Sequence, residues 1–139
     1  MDNKLFICAG DATFTIDNGK GQHFTYKAVK SDRPGQWSEI YRLIFVLTGR
    51  DNTRDYTYLG ILDTRNGHLL KTVKSKIGFD APSWKVAAWI FAVVWGSGKF
   101  PNGYSFQHAG HCGRCGKKLT DSESLRVGIG PTCRAEMGI

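Results

Sequence analysis

The amino-acid sequence predicts an α+β fold: a small antiparallel sheet of hairpins packed on one apolar helix, followed by a C-terminal module of short helices stapled through cysteines. Three observations predict it. Residues 12–63 carry alternating β-branched and aromatic runs broken by turn residues, a largely apolar segment bounded by helix start and stop signals occupies residues 81–95, and three of the four cysteines fall within residues 112–133. A chain of 139 residues suits one body with a small appendage, here divided at 1–100 and 101–139. Its 41% hydrophobic and 12% aromatic content suffices for a packed core and argues against disorder.

The elements follow in order. ATFTID and QHFTYKAV flank the glycine-rich turn NGKG, so residues 12–29 read as a β-hairpin. KSDRPGQWSE is a loop. IYRLIFVLTG at 40–49 is nearly continuous in apolar residues and reads as a central strand. DYTYLGILD at 55–63, the turn TRNG and HLLKTVKS form a second hairpin. Asp80 as N-cap, Pro82 in the first turn and the stop at Gly96 and Gly98 bound a helix over about 81–95. On it Trp84, Ala88, Phe91 and Trp95 form one stripe that packs on the sheet. KFPNGYS at 99–105 is turn-rich and marks the boundary to the cysteine module.

Within that module Cys112 and Cys115 enclose Gly113 and Arg114, and Gly116 follows, the tight-turn pattern that lets two thiolates converge on one metal ion. Cys133 supplies a third. A closed tetrahedral site needs a fourth ligand, and two histidines compete: His111 is adjacent to Cys112, where convergence is awkward, whereas three residues separate His108 from Cys112. The expected set is His108, Cys112, Cys115 and Cys133 around one structural Zn²⁺, with His111 as the alternative. TDSE at 120–123 reads as a capping box, Thr120 with Glu123, opening a short helix that ends near Gly128; Pro131 starts a second helix with Cys133 in its first turn. The module is thus a zinc-stapled mini-fold, too small to be stable by burial alone. It either pins the C-terminus to the body or presents a recognition surface. Cys8, alone in LFICAG, reads as a small buried hydrophobe.

Enzyme chemistry finds no foothold. A zinc deaminase needs H-x-E and P-C-x-x-C, but the residues after His108 are Ala109 and Gly110, and no proline precedes Cys112. A thioredoxin-like redox pair needs a βαβ setting, and no G-x-S-x-G, Walker loop or H-E-x-x-H occurs. The expectation is a non-enzymatic protein without a small-molecule substrate.

The segment from His108 to Cys133 closely resembles the signature of an uncharacterised group of small phage and bacterial proteins, H-x-G-x-C-G-x-C-G-[RK]-x-L-T-x-x-x-S-x-x-x-G-[IF]-G-P-x-C. His108, Gly110, Cys112, Cys115, Leu119, Thr120, Ser124, Gly128, Gly130, Pro131 and Cys133 match it; Ser122 stands where proline is usual. ATFTI, HFTYK, VLTGRDNTRDYTYLGIL and KSKIGFDAPS are similar to the N-terminal half that often precedes this signature in phage proteins. The resemblance implies a phage-associated intracellular setting and carries no settled activity.

The chain carries a formal charge of +7, spread without a dense basic tail, which favours an acidic partner. Two function classes fit. In the first, the protein binds nucleic acid or a nucleoprotein complex: Arg50, Arg54, Lys71, Lys74 and Lys76 neutralise phosphates while Tyr56 and Tyr58, on one strand face, stack on bases. The plain alternative is that these tyrosines fill a sheet face and the charges are solvated. In the second class, the protein is a phage-encoded inhibitor of a host defence complex, anti-CRISPR-like, acting by protein–protein contact. No signal peptide is evident at the start, and the longest apolar run, VAAWIFAVVW, falls short of the ~20 residues that span a bilayer, so a cytoplasmic protein without membrane contact is expected.

Overall fold

The computed structural model describes all residues, Met1–Ile139. It is α+β, with one six-stranded antiparallel sheet and five short-to-medium helices. The strands are β1 (Asp11–Asp17), β2 (His23–Val29), β3 (Tyr41–Leu47), β4 (Tyr56–Asp63), β5 (His68–Leu70) and β6 (Ser105–His108), in the spatial order β5-β4-β3-β2-β1-β6. Both hairpins form where the alternation places them. In β1 and β3 every second residue is buried, so the sheet has a core face built on Ala12, Phe14, Ile16, Tyr26, Ala28, Ile44 and Val46 and an opposite, open face. A bulge between Ile44 and Phe45 leaves Leu59 unpaired across β3, and Leu59 is fully buried.

Helix α3 (Pro82–Trp95) covers the core face. Its buried side is Trp84, Ala87, Ile90, Phe91 and Val94, one residue round from the predicted stripe, which leaves Ala88 and Trp95 half-buried. Ala81, not Asp80, precedes the first turn, and no side chain caps it. Pro82 instead removes one of the donors a cap would serve. The Tyr26 hydroxyl donates to the Ser83 carbonyl at 2.8 Å, and Phe14 meets Phe91 edge-on at 6.4 Å, tying sheet to helix. Gly67, at φ +79, lies so close to Trp95 that a Cβ there would come within 2.6 Å of the indole. That close approach lets the Trp95 indole N–H donate to the Thr64 carbonyl at 2.9 Å.

Two helices were not anticipated. Residues Asn3–Cys8 form α1, capped by the Asp2 side chain accepting from the Leu5 amide at 3.0 Å, and it buries Phe6 and Ile7 completely. Gln36–Ile40, within the predicted loop, form α2. The strand expected through residue 75 stops at Leu70, so Lys71, Lys74 and Lys76 lie in the connection to α3 and not on the sheet. Cys8, at the end of α1, is half-buried, and burial raises its thiol pKa.

The cysteine segment belongs to the same packing unit as the body. Strand β6 pairs with β1 from Phe14↔His108 to Asp17↔Ser105, and Cys112, Leu119, Ile129 and Cys133 share one hydrophobic cluster with Phe6, Phe14 and Phe91. Residues 1–100 and 101–139 therefore have one common core.

Candidate functional site

The three cysteines of the C-terminal segment converge. Helices α4 (Ser122–Val127) and α5 (Pro131–Met137) follow the Cys112–Cys115 turn. That turn is closed by the Gly116 amide donating to the Cys112 carbonyl at 2.9 Å and the Cys112 amide to the Lys117 carbonyl at 2.7 Å. Gly116 takes φ +80 with the Asp11 carboxylate packed against it, so a side chain there would be both strained and blocked. On the far side, α4 ends at left-handed Gly128 and α5 starts at Pro131, which carries Cys133 into the first helical turn. The result is that the sulfurs of Cys112, Cys115 and Cys133 all lie within 4.8 Å of one another, Cys112 and Cys133 buried and Cys115 exposed.

The surroundings suit thiolates. The amides of Gly130 and Arg114 donate to Cys112 Sγ at 3.3 and 3.4 Å. Burial alone pushes the Cys112 thiol up, but these N–H groups and the neighbouring Cys115 outweigh it and hold it below its ordinary value. Cys133 goes the other way: burial raises it, and sharing a proton with Cys115 and Cys112 raises it further. The Arg114 guanidinium pairs with the Glu136 carboxylate and also faces Cys133, placing positive charge beside the cluster. Three soft sulfur donors, one already favoured as thiolate, match a thiophilic divalent metal.

Neither histidine joins the sulfurs. His108 Nδ1 accepts from the Gly110 amide at 2.9 Å, which fixes the proton on Nε2, and Nε2 donates to the Leu125 carbonyl at 2.5 Å. The register of β6 against β1 is the reason: it turns the ring toward α4 and against Phe6, 5.9 Å between centroids, instead of toward the cysteine turn. His111 is exposed, with Nδ1 3.2 Å from the Gly116 carbonyl. His108 is thus a strut joining β6, the cysteine turn and α4. The capping box also differs: Asp121 caps α4, accepting from the Ser124 amide at 3.0 Å, while Glu123 pairs with Arg126. Replacing His108 with alanine is expected to cost about 1–3 kcal/mol of stability through the lost hydrogen bonds while leaving metal stoichiometry unchanged. Denaturant titration beside elemental analysis checks this, and a fall in bound metal would reinstate His108 as a ligand.

A second feature is the open face of the sheet. Cross-strand pairing sets out a row of Thr13, Lys27, Phe45 and Tyr58, one residue from each of β1 to β4. Tyr56 and Tyr58 do share this face, opposite Leu47 and Phe45, and the Tyr58 ring meets Phe45 edge-on at 5.7 Å. Cations lie on aromatic rings here: Lys27 over Tyr56 at 4.4 Å, Arg65 over Tyr41 at 5.8 Å and Arg33 over Trp37 at 5.3 Å. The arginines and lysines singled out from the sequence stand further out. Arg50 is exposed, Arg54 is tied to Asp51 at 2.8 Å, and Lys71 covers Phe79 at 5.1 Å. Lys74 and Lys76 are exposed in the connection to α3, whose Thr72 hydroxyl lies 3.0 Å from the Tyr58 hydroxyl. Sequence reasoning missed Lys27 and Phe45, although the alternation in HFTYKAV and RLIFVL assigns both to the face opposite Tyr26 and Val46.

Fold and site together define an α+β protein with a clustered trio of cysteines compatible with a metal site. Residues 105–138, from the start of β6 to the glycine that follows α5, match the model of DUF6011, a family of unknown function. No curated protein and no solved structure matches the chain. No helix is long and apolar enough to cross a membrane.

Proposed function

We propose that this is a non-enzymatic zinc-binding protein whose open sheet face binds single-stranded nucleic acid, free or within a nucleoprotein complex, in the cytoplasm. Cys112, Cys115 and Cys133 supply three thiolates to one structural Zn²⁺, whose fourth position falls to the exposed His111 of the same turn or to water, and a reducing compartment preserves the thiols. The observation that carries the nucleic-acid reading is the aromatic open face with cations laid on it, Lys27 on Tyr56 above all. Bases stack on aromatic rings with little regard to sequence, and lysine or arginine beside them neutralises the phosphates that follow. The excess of 19 basic over 12 acidic side chains supports an acidic partner of this kind. An open sheet face admits splayed single-stranded bases, whereas a paired duplex buries its bases away from it.

Fluorescence anisotropy with short single-stranded and duplex oligonucleotides over a salt series tests the reading. Binding is expected to persist near physiological salt for single strands. The double variant Lys27→Ala/Tyr56→Ala is expected to weaken it by roughly tenfold to a hundredfold, the loss of about one stacked base and one phosphate contact. Arg50→Ala with Lys74→Ala should produce a smaller loss that shrinks as salt rises. Attraction only at low salt, equal for all variants, would sink the reading and turn the search to a protein target.

A further inference from the structure

Between the open sheet face and the cysteine turn lies a groove of about 460 Å³, within the roughly 300–1,000 Å³ range of small-ligand sites. Thr13, Thr15, Thr25 and Lys27 form its floor, Asn52 and Tyr56 one side, and His111 and Gly116 of the cysteine turn the other, with Asp11 at that end. Its polar groups are largely unused by the protein. Thr15 and Thr25 hydrogen-bond each other at 2.7 Å, but the side chains of Asp11, Thr13, Lys27 and Asn52 make no hydrogen bond or ion pair within the chain.

Asp11 is the informative residue. Every other half-buried or buried acidic side chain is engaged: Asp17 accepts from Gly19, Asp51 holds Thr53 and Arg54, and Asp63 holds Arg65. Asp11 is half-buried and has no such partner. An acceptor-only carboxylate set in a phosphate-binding groove would repel the chain it is meant to hold, unless it faces a donor on the ligand. Among the parts of a nucleotide strand, the donors are base amino or imide groups and, in RNA, the ribose 2′-hydroxyl. A groove floored by threonine hydroxyls, with a lone lysine for phosphate and aromatic stacking beside it on Tyr56, matches a sugar better than a base edge.

We propose that this groove seats the ribose of one nucleotide of single-stranded RNA, with Asp11 accepting from the 2′-hydroxyl, Lys27 at the adjoining phosphate and the base against Tyr56. The inference rests on the nucleic-acid reading and narrows it to RNA. It also gives the cysteine turn a part in recognition, since His111 and Gly116 wall the groove. A carboxylate taking a sugar hydroxyl is an established way to hold ribose, and a site built around a hydroxyl discriminates strongly against the analogue lacking it.

The test compares the metal-loaded protein's binding to matched short oligo-rU, oligo-dU and 2′-O-methyl oligo-U by anisotropy, for the parent chain and for Asp11→Ala. The parent is expected to bind oligo-rU about tenfold tighter than the other two. In Asp11→Ala the ratio should fall to near one, because affinity for oligo-rU drops with the lost hydrogen bond while affinity for the other two holds or rises as a negative charge goes. The ratio is the readout, so a merely electrostatic or structural role for Asp11 would leave it unchanged. Equal binding of rU and dU by the parent, or an unchanged ratio in the variant, would overturn the ribose assignment and leave the nucleic-acid reading standing. Failure of the parent to bind any of the three at physiological salt would overturn the nucleic-acid reading itself.

Discussion

Chelating the metal, or replacing Cys133 with alanine, is expected to lower the melting temperature of the whole chain by on the order of 10 °C or more. The size of the effect follows from how the cysteine segment is held. Phe6 of α1, fully buried, packs so tightly on Gly113 and Gly128 that a Cβ at either would come within 2.7 or 2.8 Å of its ring. Leu119, Ile129 and the two buried cysteines extend the same core. The segment from Gly110 to Ile139 contributes few buried apolar side chains to that core, and apart from them only two short helices and turn hydrogen bonds hold it. If the proposed ion bridges the three sulfurs, its loss is expected to free the ends of the turn and of α5 and to spread disorder to β6, Phe6 and the body. Acid should do the same. The proton that burial favours on Cys133 must leave before the metal binds, so affinity is expected to fall as pH falls and protons compete for the three sulfurs. Differential scanning calorimetry with and without chelator, beside elemental analysis, decides it. A protein purified without metal whose melting is indifferent to chelator would show that the cysteines are a packing cluster.

Periodicity made the sheet readable, and its breakdown hid the rest. In HFTYKAV the alternation marks the strand, in IYRLIFVLTG the nearly continuous apolar run does, and the apolar content of residues 82–95 with Pro82 at the start fixes α3 within a residue or two. The spacing of Cys112, Cys115 and Cys133 identified the sulfur cluster, because a C-x-x-C turn has few other uses. Helix α1 escaped notice because six residues are too few to show a period, and its formation depends on Phe6 and Ile7 finding a core contributed by residues over a hundred positions away. Chain distance to Cys112 points to His108 as a ligand, yet the direction of its ring is set by β6 pairing with β1, a long-range register that local spacing does not encode. The same holds for the groove, whose walls come from β1, β2, β4, the loop before β4 and the cysteine turn. HLLKTVKS reads as strand throughout, but pairing with β4 ends at Leu70 and the lysines beyond it remain in the connection.

Arg42 gives the second large effect: Arg42→Ala is expected to destabilise the fold by about 3–5 kcal/mol. The residue sits inside the most apolar strand, yet it is only 7% exposed and has no carboxylate partner. Its guanidinium donates to carbonyls alone: Nε and Nη2 to Cys8 at 3.1 and 2.8 Å, and Nη1 to Ser38 at 2.9 Å, Tyr41 at 3.2 Å and Glu39 at 3.3 Å. Cys8 ends α1 and Ser38 and Glu39 lie in the last turn of α2, so the charge is placed where two helices present unsatisfied carbonyls and the negative ends of their dipoles. Without Arg42 those carbonyls face a cavity with no donor, and α1 and α2 lose the side chain that joins both to β3. Lysine has one nitrogen to offer in place of three and cannot span both helix ends, so Arg42→Lys should recover only part of the loss. Urea titration of the parent and both variants at one pH measures the series. A cost below about 1 kcal/mol for Arg42→Ala would mean that water reaches the carbonyls as readily as the guanidinium does, and that the helices are held by Phe6 and Ile7 without it.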